Sequence, residues 1–148
     1  MRSRRRPSTL VLALAVGFTS ALAACTGAGK REAAALTEAV DRFRNANDAA
    51  RTVMADAVGK VECSEARVCE AKQVCIAAIE PTAKALTLKD EVAAKLADIE
   101  GARLAPDAAE AQSLPLKLDE ASQLLREGHK RMEECDSKLA ELHLTYGL

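Results

Sequence analysis

The feature that most constrains the fold is a regular apolar stripe near the C-terminal end of the chain. Between residues 118 and 146, apolar or small side chains recur at strictly alternating intervals of three and four residues. Such intervals return to one side of an α-helix, so the stripe predicts a single long helix from about Leu116 to Leu144 with one apolar face. Its members are Leu118, Ala121, Leu125, Gly128, Met132, Cys135, Leu139, Leu142 and Tyr146. Glycine on this face lowers helix propensity by about 1 kcal/mol relative to alanine, and we expect it to allow a neighbouring helix to approach closely.

A similar stripe predicts a first long helix from about Glu32 to Val61. Asn47 is the one polar residue on that stripe. We interpret it as a residue of the helix seam that helps to fix the register of packing, in preference to a ligand.

A second long helix is predicted between residues 64 and 100, after a turn at Cys63-Ser64. Ser64 is a suitable N-cap, and Gly101 lies where glycine commonly follows a helix end. Pro81 removes a backbone donor inside this segment, which leaves two alternatives, one kinked helix or two short ones. Residues 101–115 are predicted to be a connector, with Asp107 as the cap of one brief helix. The fold class is therefore all-α, an antiparallel bundle of three long helices.

Composition agrees with this fold and excludes several functions. The chain has 21 basic and 22 acidic residues. Four of the basic residues lie in the first 24 positions, so the remainder carries 17 basic residues against 22 acidic ones. With no basic patch, nucleic acid is not an expected partner. Phe43 and Tyr146 are the only aromatic residues after position 24, which leaves little surface for stacking on bases.

The four cysteines after position 60 predict two disulfides. In a continuous helix Cys69 and Cys75 would lie about 9 Å apart along the axis, and Cys63 and Cys75 about 18 Å apart if both are helical. Both separations exceed the Cα–Cα distance of about 7 Å that a disulfide allows. The remaining pairing is Cys63–Cys69 with Cys75–Cys135. On the chain-entropy model, these bridges stabilise the fold by about 2 and about 4 kcal/mol respectively.

The same cysteines do not have the spacing of a redox or metal site. There is no C-x-x-C motif, and a C-x₅-C-x₅-C spacing matches no common structural zinc site. His129 and His143 would lie about 21 Å apart along one helix, too far to share a metal. Met54 or Met132 with His129 could ligate a haem, but both methionines are better explained as core residues. We therefore expect no cofactor and no metal.

Acidic pairs occur at Asp90-Glu91, at Asp119-Glu120 and at Glu133-Glu134. We interpret them as solvated helix faces and not as catalytic carboxylates. There is no motif of a hydrolase, of a phosphate-binding loop or of a dinucleotide fold. The sequence thus predicts no catalytic residue and a protein that is not an enzyme.

The N-terminal segment has the layout of an export signal. Arg2, Arg4, Arg5 and Arg6 come first, and an apolar run of about 15 residues follows. A membrane span needs roughly 20 apolar residues, so a secretory signal peptide is the better interpretation. An ordinary cleaved signal with an A-x-A site is the alternative.

The residues that close this segment, Leu22-Ala23-Ala24-Cys25, resemble the lipobox of bacterial lipoproteins. The resemblance covers residues 1–25 only, and no family is identified for the rest of the chain. It implies cleavage before Cys25 and a diacylglyceryl thioether on that cysteine, usually with acylation of the new amine. Two or three acyl chains anchor a protein stably, because each buried CH₂ contributes about 0.8 kcal/mol. Thr26 after the cysteine, in place of aspartate, implies the outer membrane, facing the periplasm, in preference to the inner membrane.

Together these features predict three parts: a lipoprotein signal peptide (1–24), a lipidated cysteine with a short flexible tether (25–31) and a helical bundle (32–148). The expected function is that of a lipid-anchored, non-enzymatic interaction or structural module of the cell envelope. Its partners would be the membrane, through Cys25, and an envelope protein. The alternative function is a periplasmic helical bundle that binds a small ligand or a metal.

Overall fold

Helices are the only regular secondary structure in the described part of the chain. The computed structural model describes residues 21–148, with side chains from Gly27 onward, so the predicted signal peptide lies largely outside the described residues. Within that range there are five helices and no strand. Their bounds are α1 Ala21–Asn45, α2 Asp48–Gly59, α3 Ala66–Glu100, α4 Ala109–Gln112 and α5 Leu114–Tyr146.

The predicted first helix is in fact two helices. Asn47 adopts an extended backbone (φ −68°, ψ 165°), and its side-chain oxygen accepts a hydrogen bond from the amide of Ala50 at 2.9 Å. The interpretation of Asn47 as a seam residue is therefore wrong, because it is the N-cap of α2, a position for which asparagine is among the best residues. The chain reverses here, which allows α2 to return along the bundle.

Residues 26–31, predicted as a flexible tether, belong to α1. Gly29 is buried, and a Cβ added to it would lie 2.8 Å from Cε1 of Tyr146. Lys30 Nζ donates to the carbonyl oxygen of Gly147 at 2.8 Å. The start of α1 therefore packs on the end of α5, because glycine leaves room for the tyrosine ring.

The second predicted helix is a single element. α3 passes through Pro81, which is buried, without interruption, so the alternative of two short helices is excluded. The helix ends at Glu100 with Gly101 at its C-cap, as predicted. Its N-cap is Glu65 and not Ser64, because the Glu65 carboxylate accepts from the amides of Arg67 and Val68.

The connector contains one short helix, as predicted, but its cap differs. The N-cap position of α4 is Ala108 and not Asp107, and no side chain caps this helix. The last helix begins two residues earlier than predicted, at Leu114, and Gly147 ends it in the left-handed conformation (φ 62°) that glycine adopts without steric cost.

Helices α3 and α5 run antiparallel along most of their length. As the residue number increases along α3, the residue number of the contacting partner on α5 decreases. They are the ion pairs Glu70–Lys138, Lys84–Glu120 and Glu91–Lys117, and the disulfide Cys75–Cys135. Gly128 faces α3, where an added Cβ would lie 3.2 Å from the carbonyl oxygen of Ala78 and closer still to Thr82 Oγ1. As expected from the sequence, glycine lets the two backbones approach closely here.

The helix pair is longer than the helices that cover it. The principal core consists of residues from α1, from α2, from α3 up to Ile79 and from α5 beyond Met132. We call this part the body. Beyond it, residues 82–100 of α3 and 109–128 of α4 and α5 form a two-helix extension, which we call the arm. The start of α2 contacts it through the ion pair of Asp48 with Lys89. Since α3 has 35 residues, it spans about 52 Å from the body to the tip of the arm.

Gly128→Ala tests the close approach of α3 and α5. We expect this variant to lose about 1–2 kcal/mol of unfolding free energy, because overpacking outweighs the better helix propensity of alanine. The matched control is Gly59→Ala, where an added Cβ would meet nothing within 4 Å; it should be neutral or slightly stabilising. Urea denaturation of the oxidised proteins measures both. A Gly128→Ala variant as stable as the control would contradict the packing.

Candidate functional site

The end of the body at which α1 and α3 begin and α5 ends is the first candidate site, and we call it the base. Cys25 lies in the first part of α1, one helical turn before Gly29, although its side chain is outside the described side chains. Because Gly29 is already packed on Tyr146, the predicted lipidation residue is close to the base. The proposed anchor is thus carried by a helix that is itself part of the body.

Glu32 holds α1 to the loop that precedes α3. Its carboxylate accepts hydrogen bonds from the amide of Ser64 at 2.9 Å, from Ser64 Oγ at 2.5 Å and from the amide of Glu65 at 3.2 Å. These donors, with the Ser64 hydroxyl first, hold the pKa of Glu32 below its ordinary value of 4.5. No sequence pattern indicates this contact, because the two segments are 32 residues apart.

Glu65 performs two tasks at the base. It caps α3, and its carboxylate also accepts a hydrogen bond from the Tyr146 hydroxyl, which is the main cause of its lowered pKa. Burial of the phenol and then the same hydrogen bond raise the pKa of Tyr146. Tyr146 therefore contacts α1 through Gly29 and α3 through Glu65.

Two disulfides stabilise the body. Cys63 is bonded to Cys69 in the loop and first turn of α3, with a Cα–Cα distance of 5.3 Å. Cys75 is bonded to Cys135 across α3 and α5, with a Cα–Cα distance of 4.7 Å. These are the two pairs that the helix geometry predicts. The second is completely buried in the core, where it joins the two longest helices.

The other residues considered for chemistry are dispersed. His129 is exposed on the arm end of α5, whereas His143 lies near the base and its Nε2 is 3.2 Å from Thr37 Oγ1 of α1. Met54 and Met132 are half-buried against the core. Among residues 27–148, no group of three or more histidine, cysteine or acidic side chains is placed to hold a metal ion.

The acidic pairs lie on exposed helix faces. Glu91 and Glu120 form ion pairs with lysines of the opposite helix of the arm, and Glu133 and Glu134 are exposed. Ion pairs as exposed as these contribute about 0–1 kcal/mol each to the stability of the fold. Their main effect is therefore on the register between α3 and α5.

Two open grooves follow the contact between α1 and α5. One has a volume of about 420 Å³ and the other about 530 Å³, and both are lined by Thr37, Asp41 and His143. Leu148 completes the first, and Leu139 and Leu144 the second. Leu144 is the most exposed large apolar side chain of the described residues, at 87%. The grooves are open to solvent and do not enclose a cavity.

The arm presents the second candidate site. Leu118 and Leu125, predicted as core residues, are 44% and 42% exposed. They lie fourteen and seven residues before Met132 respectively, on the same side of α5, since seven residues are nearly two turns. In the body this side of α5 is covered by α1, through the contacts Arg44–Asp136 and Thr37–His143. The covered apolar stripe of the body therefore continues, uncovered, along the arm.

The exposure of the arm has a simple cause. α1 ends at Asn45 and the chain turns back at Asn47. The start of α2 still reaches the arm, where Asp48 pairs with Lys89, but Leu118 and Leu125 stay partly exposed. On α3, Leu96 is 46% exposed nearer the tip of the arm. We call Leu118 and Leu125 the arm stripe.

The charges of the arm are distributed unequally around the stripe. One flank carries three ion pairs that join α3 to the opposite segment, namely Lys84–Glu120, Lys117–Glu91 and Lys95–Glu110. The hydrogen bond from Lys95 is also the main cause of the lowered pKa of Glu110. Asp119 and Arg126, on the other flank, are exposed and join none of these pairs.

Comparisons with known proteins do not add a function. No family model, no curated protein and no solved structure matches the chain. Within the described helices, none combines the length and the hydropathy needed to cross a membrane.

The Glu32 contact predicts a pH dependence of stability. The folded pKa of Glu32 is lowered from 4.5, so its contribution is complete above about pH 4.5 and is lost as the pH falls through the lowered folded value. We expect Glu32→Gln to be less stable than the wild type at pH 7, and this difference to shrink on acidification below pH 4.5. Thermal unfolding between pH 7 and pH 3 measures it. Glu62→Gln, an exposed acid of the same loop, is the control, and an equal effect of the two variants would contradict the role of Glu32.

Proposed function

We propose that this protein is a lipid-anchored, non-enzymatic interaction module of a bacterial cell envelope. In this proposal Cys25 carries the lipid, the body stands on the periplasmic surface of the membrane, and the arm presents its apolar stripe to a protein partner. The outer membrane is the proposed location, because Thr26 and not aspartate follows Cys25.

The observation that carries the proposal is the arm stripe. Large apolar side chains that line up beyond the end of their covering helices favour a protein contact, because isolated exposed leucines are common but aligned ones form a patch. In contrast, the buried residues of the described core are all apolar, which is typical of a closed bundle and not of a ligand site.

The relative positions of Cys25 and the arm agree with such a role. Cys25 belongs to α1 at the base, whereas the tip of the arm lies at the opposite end of α3, about 52 Å away for 35 residues. The contacts of Gly29, Lys30 and Glu32 with the body would hold that geometry. A domain anchored in this way would direct its arm away from the lipid surface.

The finer architecture belongs to the same proposal. We propose that the body acts as an antiparallel bundle in which α1 and α2 together take the place of the first of three long helices. This arrangement would present one continuous apolar side of the α3–α5 pair, covered in the body and free in the arm.

Ligand binding is the alternative, and the grooves beside His143 are where it would occur. They offer one imidazole, the Asp41 carboxylate and leucine side chains. Such a set suits weak binding of an amphipathic molecule, but the grooves are shallow and open, whereas small-molecule sites bury most of the ligand. The interaction module is therefore the better supported function.

The anchor is tested by metabolic labelling with radioactive palmitate. We expect the wild-type chain to be labelled and Cys25→Ala to remain unlabelled and to leave the membrane fraction, because no other residue carries the thioether. Cys63→Ala with Cys69→Ala, which removes two other cysteines, should be labelled like the wild type. Equal labelling of the wild type and of Cys25→Ala would overturn the anchor.

The partner surface is tested by photo-crosslinking in cells. A benzophenone amino acid at position 118 or 125 of the full-length chain should give discrete crosslinked products. The matched control is position 116, because Leu116 is also exposed, at 72%, but lies on the opposite side of α5 from Leu118. Similar products from positions 116 and 118 would contradict the assignment of the arm stripe as the partner surface.

A further inference from the structure

The arm stripe is self-complementary about Ser122. Leu118 lies four residues before Ser122 and Leu125 three residues after it. If a second copy of α5 lies antiparallel with its centre at the same serine, Leu118 of each copy meets Leu125 of the other. The serine at the centre is small and exposed, so the two helices can approach closely there.

The charges on the free flank match in the same register. Asp119 lies three residues before Ser122 and Arg126 four residues after it. Both are on one side of the stripe, since they are also seven residues apart. A two-fold axis near Ser122 therefore brings Asp119 of one copy opposite Arg126 of the other, twice. A two-fold interface requires this kind of self-complementarity, because the same patch is used by both copies.

The opposite flank does not compete for this contact. Its lysines and glutamates are already joined in the ion pairs between α3 and the opposite segment of the arm. On the flank of the stripe, Asp119 and Arg126 are exposed and are not joined in those ion pairs, so both are placed to meet a partner. A parallel arrangement would instead place like charges opposite each other, which is unfavourable.

We propose that the partner of the arm is a second copy of this chain, bound antiparallel through α5 about a two-fold axis at Ser122. The resulting contact is a four-helix arrangement of two arms, with Leu118 and Leu125 in its centre and Asp119–Arg126 pairs at its edges. It rests on the proposed function in so far as that function makes the arm the interaction surface.

The expected contact is a weak one. From residue 115 to residue 129 the seam spans about 21 Å of helix, which corresponds to the class of interfaces that bury less than about 1,200 Å². Two copies held on one membrane by Cys25 would have a high effective concentration, which compensates for weak affinity. The dimer should therefore form on the membrane more readily than in dilute solution.

Cysteine crosslinking of the full-length chain in cell envelopes tests the two-fold axis. Ser122→Cys should give a covalent dimer on mild oxidation, because the two introduced thiols lie next to each other at the axis. The matched control is Gln123→Cys, which is adjacent, exposed and turned about 100° away around the helix. We expect at least fivefold more dimer from Ser122→Cys. Equal yields from both positions, or no dimer from either, would overturn the proposal.

Charge exchange tests the register independently. In the Ser122→Cys background, Asp119→Arg alone and Arg126→Asp alone should each lower the yield of dimer severalfold, since each places like charges opposite each other. The double variant should restore the yield. Because both side chains are exposed, these variants are expected to fold, and circular dichroism checks this. A double variant as poor as the single ones would overturn the antiparallel register.

The outcomes also separate this inference from the proposed function. If Ser122→Cys or the benzophenone at position 118 yields products that contain only other proteins, the second copy is excluded while the arm remains an interaction surface. If neither position yields any product and the palmitate label is still present, the arm is not the interaction surface and both proposals about it fail.

Discussion

The antiparallel pairing of α3 and α5 is the contact on which the rest of this structure depends. These are the two longest helices, and the buried Cys75–Cys135 disulfide joins them in the middle of the core. Closure of a loop of about 60 residues restricts the unfolded chain and contributes about 4 kcal/mol on the chain-entropy model. Gly128 adds a close backbone contact that a larger residue would prevent. With Phe43 and Tyr146 as the aromatic residues after position 24, the core is built mainly from aliphatic side chains, so such a bridge is a large part of a marginal stability.

The unequal lengths of the helices create the arm. α1 and α2 cover the α3–α5 pair only as far as the turn at Asn47, and the apolar side of α5 continues beyond that turn. In a longer α1, leucines at positions 118 and 125 would be ordinary core residues. Here they are exposed because the covering helix ends. Their exposure gives the molecule an apolar surface on one side of the arm.

The base links this surface to the proposed anchor. Glu32 joins α1 to the loop before α3 by accepting hydrogen bonds from Ser64 and from the Glu65 amide, and Tyr146 of α5 donates to the Glu65 carboxylate. Hydrogen bonds to charged groups are stronger than those between neutral groups, although solvent weakens them where the groups are exposed. A residue of α1 close to Gly29 is therefore held in a fixed relation to the arm. In such a molecule a lipid on Cys25 would fix the orientation of the arm and not only its distance from the membrane.

Much of the local structure was predictable from the sequence. The strict spacing from Leu118 to Tyr146 determined α5, Gly101 determined the end of α3, and helix geometry was enough to select Cys75–Cys135 and Cys63–Cys69. These features depend on intervals of a few residues or on the fixed rise of a helix, and both can be read along the chain.

Other features depended on contacts between distant segments and were not predictable in the same way. Asn47 has the same spacing whether it lies in a helix seam or caps a new helix, and only the packing of α2 against the body favours the cap. Residues 26–31 have the composition of a tether, but Gly29 is helical because Tyr146, more than 100 residues later, packs on it. The sequence by itself determined which side of each helix is apolar, since periodicity is a local property. Only the tertiary structure decided how far that side is covered, because coverage depends on where another helix ends.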